Sequence, residues 1–191
     1  MKKFKILTVA LFLTGLALTV AAGQKTGRKP TAYRYHYYGR VTYSSPDGTT
    51  AYGRGFSLIR REVRPSAGKI IETAVQSGRG PDEKAEEYVT ELSRKGSTTV
   101  FEAKEEGGTF TGTVSFKGAE WKWRSWVYDL DLTSGGKLTG SGSLNERGVK
   151  TRKILSGGDG PDTLIIEDLK PVSLKQYGRL YKKMTAQKDP V

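Results

Sequence analysis

Residues 109–144 read TFTGTVSFKGAEWKWRSWVYDLDLTSGGKLTGSGSL, and this stretch decides the fold. From Thr109 to Phe116 the chain alternates. Phe110, Gly112, Val114 and Phe116 share one parity; Thr109, Thr111, Thr113 and Ser115 share the other. Successive side chains of a strand point to opposite faces, so one face here is apolar and the other wet. Leu138, Gly140, Gly142 and Leu144 repeat the pattern against Lys137, Thr139, Ser141 and Ser143. Between these two runs the phase breaks: Trp121 and Trp123 fall on one parity, Trp126, Tyr128, Leu130 and Leu132 on the other. A β-bulge near Arg124–Ser125 returns all of them to one core, because one extra residue exchanges the faces. The alternative is two outward tryptophans covered by another element.

The same grammar runs from Ala32 to Leu169. Clusters such as Pro46-Asp47-Gly48, Pro65-Ser66-Ala67-Gly68, Gly107-Gly108 and Ser134-Gly135-Gly136 punctuate alternating runs. Glycine supplies positive φ and proline fixes φ, so these clusters turn the chain. They predict ten strands: 32–45, 49–63, 69–77, 84–93, 97–104, 109–116, 120–133, 136–144, 149–156 and 163–169. Short loops make sequential strands antiparallel neighbours and leave no room for crossover helices. The expected fold is all-β, an antiparallel up-and-down meander of about ten strands. Closing into a barrel hides its apolar face and both its edges. Beyond it, Leu174, Tyr177, Tyr181 and Met184 follow helical spacing, with Ser173 placed to cap after Pro171. A short C-terminal helix is expected.

The ends read differently. Lys2, Lys3 and Lys5 precede an uncharged apolar run from Ile6 to Val20, and Val20-Ala21-Ala22 supplies small residues for cleavage. This is the pattern of a secretory signal peptide. The expected organisation is a signal peptide at 1–22, a disordered linker at 23–31, one barrel domain at 32–185 and a disordered tail at 186–191. Localisation follows as periplasmic or secreted, in a bacterium. The full chain carries +12; residues 1–22 hold three lysines and no acid, so the mature charge is 12 − 3 = +9, which favours anionic surfaces and ligands. An extracytoplasmic address makes nucleic acid an unexpected partner.

Composition excludes several chemistries. With no cysteine there is no disulfide, thiolate metal site or cysteine nucleophile, and a single histidine excludes His-cluster metal sites. There is no phosphate loop, dinucleotide fingerprint or Gly-x-Ser-x-Gly elbow, and no cofactor is expected. His36 shares parity with Arg34, Tyr38 and Arg40, opposite Tyr33, Tyr35, Tyr37, Val41 and Tyr43, and reads as an exposed strand residue. Glu86–Glu87 and Glu105–Glu106 are sequence neighbours, so each pair splits across two faces. Residues 157–165 fit the calcium nonapeptide G-G-x-G-x-D-x-U-x once. One copy has no stacked turn to complete the metal shell, and the stretch reads more simply as a hairpin turn. Lys150-Thr151-Arg152-Lys153 and the basic run Arg179 to Lys183 are solvated faces in the simplest reading; anionic lipid or lipopolysaccharide is the partner they otherwise suit.

The binding-site expectation centres on Arg54, which shares its parity with Tyr52, Phe56 and Leu58. A buried arginine needs an anion or full hydrogen bonding. That anion is a ligand carboxylate or phosphate, or internally Glu72, Glu87 or Glu91. Gly112, Gly140 and Gly142, on apolar faces, leave space where side chains would otherwise fill a barrel. The expected ligand-binding set is therefore Arg54, Tyr52, Phe56, Gly112, Gly140 and Gly142.

A meander of this kind followed by one helix resembles the calycin superfamily of lipocalins and fatty-acid-binding proteins, over about residues 32–185 and in layout only. The first strand, Ala32 to Arg40, lacks the lipocalin Gly-x-Trp, and Pro46-Asp47-Gly48 makes a direct hairpin where fatty-acid-binding proteins insert two helices. The resemblance implies ligand binding. The expected function is a non-enzymatic secreted or periplasmic protein that holds a small hydrophobic, amphipathic or anionic ligand in a barrel cavity. The alternative is an envelope-associated structural protein whose basic exterior contacts anionic surfaces. A calycin-shaped enzyme and a transmembrane barrel are the remaining readings; the second would turn Arg54 toward lipid.

Overall fold

The computed structural model describes residues 32–77, 85–96, 99–157 and 160–186. The signal peptide, the linker and nearly all of the tail expected from the sequence lie outside these residues. So do Gly158 and Asp159 of the nonapeptide.

Ten strands follow one another: β1 (Tyr33–Ser44), β2 (Ala51–Arg64), β3 (Lys69–Gln76), β4 (Glu86–Arg94), β5 (Val100–Glu105), β6 (Phe110–Ala119), β7 (Lys122–Leu132), β8 (Gly136–Asn145), β9 (Gly148–Gly157) and β10 (Thr163–Pro171). Each pairs antiparallel with its sequence neighbour, and β1 pairs with β10, so the meander closes into a barrel. One helix, α1 (Leu174–Thr185), follows. This layout is compatible with a calycin-like architecture. The ten predicted segments match the ten strands, with ends displaced by a few residues.

The inward faces carry Tyr37, Val41 and Tyr43 of β1, Phe101 and Ala103 of β5, Phe110, Val114 and Phe116 of β6, and Leu138 and Leu144 of β8, all buried. The predicted bulge in β7 is present. Lys117 faces Ser125 but Gly118 faces Trp123, which leaves Arg124 as the extra residue. Trp123 and Trp126 are consequently both buried. Trp121 turns the corner with φ +58 and packs on the same core, under the Arg94 guanidinium 4.4 Å from its ring.

A second bulge was not foreseen and corrects the reading of β2. Tyr43 faces Gly53 while Ser44 faces Ala51, so Tyr52 is the extra residue. Tyr52 reaches the core, but beyond it the faces exchange. Gly55, Ser57, Ile59, Arg61 and Val63 point inward; Arg54 and Phe56 are exposed. Phe56 stacks on Tyr38 outside the barrel, with ring centroids 5.6 Å apart.

Leu58 is also outward, yet fully buried, because α1 covers it. Leu58, Val75 and Tyr177 form a small second core, with Leu180, Tyr181 and Met184 against it. Ser173 caps the helix: its Oγ accepts from the Gln176 N–H at 3.2 Å, and Gln176 Oε1 accepts from the Ser173 N–H at 3.0 Å. This reciprocal pair satisfies donors that a helix start leaves open. The helix thus covers the outer wall of β1 to β3. His36 is accordingly half-buried rather than exposed, its ring centroid 4.7 Å from that of Tyr177.

Candidate functional site

The barrel interior is filled, and charged groups do part of the filling. Arg61 on β2 and Glu72 on β3 face each other in register and are essentially unexposed. Arg61 Nε and Nη2 both donate to Glu72 Oε2, at 2.9 and 2.5 Å. On the other side, Lys153 of β9 lies 2.8 Å from Glu167 Oε2 of β10, and Thr151 Oγ1 donates to the same oxygen at 2.7 Å. Two cations and two carboxylates therefore balance inside the wall. Burial pushes the Glu72 carboxyl up to about 7, against the pull of Arg61, with Glu167 and Lys153 also acting on it. Burial likewise raises Glu167 and lowers Lys153, each opposed by the other. Glu72 Oε1 and Glu167 Oε1, and both amide atoms of the buried Gln76, have no hydrogen-bond partner. Ionic groups so placed are costly to desolvate and hold together only while paired.

The expected lining set does not converge on an interior cavity. Arg54 and Phe56 are on the outer wall, and only Tyr52 touches the core. Glu72 serves Arg61 instead of Arg54; Glu91 binds Lys69 at 2.7 Å, and Glu87 accepts from Tyr181 Oη at 2.7 Å. The three glycines do face inward, but they open no space. A Cβ at Gly112 would lie 2.3 Å from the Asp129 carbonyl oxygen, one at Gly140 2.3 Å from that of Arg152, and one at Gly142 2.1 Å from the Trp126 indole. They allow neighbouring strands and a tryptophan to approach closely.

Concavity lies at one barrel end. The first residues of β1 run beyond β10: the β1–β10 register starts only at Tyr37–Pro171, although β1 already pairs with β2 from Tyr33. Val172 donates its N–H to His36 O at 3.0 Å, and the chain then leaves the wall for α1. The gap that remains is bordered by the β6–β7 and β8–β9 turns. It forms a cleft of about 810 Å³, floored by Tyr35, Tyr37, Leu144 and Val172. Arg34, Lys122 and Arg124 stand around it, with Asn145 and a single acid, Glu146. Arg34 binds Glu62 at 2.9 Å. Lys122 and Arg124 are exposed and make no ion pair among the described residues.

Two titratable groups inside the cleft are held neutral. Burial, then the cations Arg60 and Arg34, lowers the His36 pKa. Burial, then the phenols of Tyr37 and Tyr33, raises Tyr35 to about 12. The cleft thus offers apolar rings, neutral donors and peripheral cations.

Sequence reasoning missed both features. The buried ions carry a signal: Glu167 sits between Ile165 and Leu169 on one parity, and Lys153 between Thr151 and Leu155. Counting by twos marks them as inward. Lys122 and Arg124 carry none, because the cleft arises from the overhang of β1. Among the described residues no cluster of three or more His, Cys, Asp or Glu side chains is placed to hold a metal ion. In the nonapeptide, Asp162 accepts the Gly157 N–H at 3.3 Å. No protein-family model matches the chain, and neither a curated protein nor a solved structure matches it.

Proposed function

We propose that this is a non-enzymatic extracytoplasmic binding protein that takes a small amphipathic anion in the end cleft. The observation that carries the reading is the joining of an apolar, tyrosine-lined floor to unpaired cations Lys122 and Arg124 in one concavity. Barrel mouths are favoured places for ligand sites, and apolar lining with a few oriented polar groups is their usual chemistry. The calycin-like layout and the signal-like residues 2–22 support the same reading. The cations are what the cleft offers an anion: Lys122 and Arg124 are exposed at its edge, and its one acid, Glu146, is exposed as well.

Calorimetric titration with dodecanoate and with dodecanol tests it. Dodecanoate is expected to bind, and Lys122→Met with Arg124→Met to weaken it about tenfold while leaving dodecanol unchanged, as loss of a charged hydrogen bond predicts. Equal binding of dodecanoate before and after the substitutions, or no binding of either probe, would overturn the reading.

A further inference from the structure

The basic run Lys150-Thr151-Arg152-Lys153 is divided by the strand it forms. Thr151 and Lys153 enter the core; Lys150 and Arg152 face out. Strand register then assembles a row on the outer wall: Val127 of β7 faces Ser141 of β8, Ser141 faces Arg152 of β9, and Arg152 faces Ile166 of β10. One row nearer the cleft end, Ser143 faces Lys150, with Lys117 two strands away beyond Ser125. Between these rows runs an open groove of about 520 Å³.

Its chemistry is specific in two respects. Lys117 and Arg152 are exposed and make no ion pair among the described residues; Lys150 has only Asp168, at 3.6 Å. With the hydroxyls of Ser125, Ser141 and Ser143 they form a set of donors suited to phosphate oxygens. Val127 and Ile166, 44% and 42% exposed, flank the same groove. A soluble polyanion needs no such apolar side chains, whereas a lipid interface uses cations and apolar groups together.

We propose that this wall of β6 to β10 docks on the surface of an anionic phospholipid bilayer, with headgroup phosphates in the groove and Val127 and Ile166 against the acyl boundary. The proposal is independent of the cleft.

Vesicle flotation tests it, using phosphatidylcholine vesicles with and without phosphatidylglycerol and chains identical at their N-terminus. The wild type is expected to bind the phosphatidylglycerol vesicles preferentially. Lys117→Glu with Arg152→Glu should reduce that binding about tenfold or more, since each basic residue near such a surface contributes about 1 kcal/mol. Val127→Ser with Ile166→Ser should also reduce it. All substituted side chains are exposed, and an unchanged far-ultraviolet circular dichroism spectrum verifies the fold. Wild-type binding in both groove variants would overturn the proposal. So would loss in the charge variant alone together with equally tight binding of soluble polyphosphate, which would identify a soluble polyanion as the partner.

Discussion

Lys153 Nζ lies 2.8 Å from Glu167 Oε2, and both side chains are fully buried inside the barrel. Removing only the cation strands a carboxylate away from water. Lys153→Met is therefore expected to destabilise the fold by about 3–5 kcal/mol, and Lys153→Met with Glu167→Met by clearly less. Urea denaturation of the two variants and the wild type measures both. Losses that simply add would show the groups to be uncoupled.

Glu72 makes stability depend on pH. Its folded pKa, about 7, lies above the ordinary 4.5. A raised acid favours the fold at low pH: its contribution is complete below about 4.5 and disappears as pH rises through about 7. Glu167 is displaced the same way. Glu62 and Glu91, held low by hydrogen bonds from Arg34 and Lys69, have the opposite sign, with stability lost only as pH falls below the ordinary carboxylate range. Stability should thus decline between about pH 4.5 and pH 7, by about 3 kcal/mol from Glu72, and Glu72→Gln should flatten the decline. Denaturant midpoints across that range show whether it does.

The inward glycines provide a direct test of filled against open space. Gly142→Ala places a methyl on the Trp126 indole. The substitution is expected to cost about 1–3 kcal/mol, the range for overpacking. A roomy cavity would accept the alanine with no change in thermal midpoint.

These cases show what the sequence disclosed and what it hid. Strand positions were legible because each turn carries its own glycine or proline chemistry. The β7 bulge was legible because tryptophans on both parities cannot otherwise share a core. The bulge at Tyr52 was hidden, because Leu58 remains apolar after the faces exchange. It is buried by α1 rather than by the barrel interior, so the alternation gives no sign of the exchange. Arg54 was assigned to the wrong face by that one residue. The cleft depends on where β10 stops beside β1, a long-range register that local patterning does not contain.

The helix that misled the reading of β2 is itself testable. Ser173→Ala removes the Oγ that accepts the Gln176 N–H. A lost cap of this kind costs about 1 kcal/mol. A chemical denaturation curve should show this loss, and Ser173→Asp, which keeps an acceptor at the cap, should restore most of it.

Under the proposed function the ligand sits at the barrel end and not in its interior. Amide chemical-shift mapping during a dodecanoate titration tests this most directly. Perturbations are expected at residues 34–37, 118–124, 144–148 and 171–172, around the cleft. Perturbations centred instead on Lys153, Glu167 and Glu72, or no saturable perturbation at all, would contradict it.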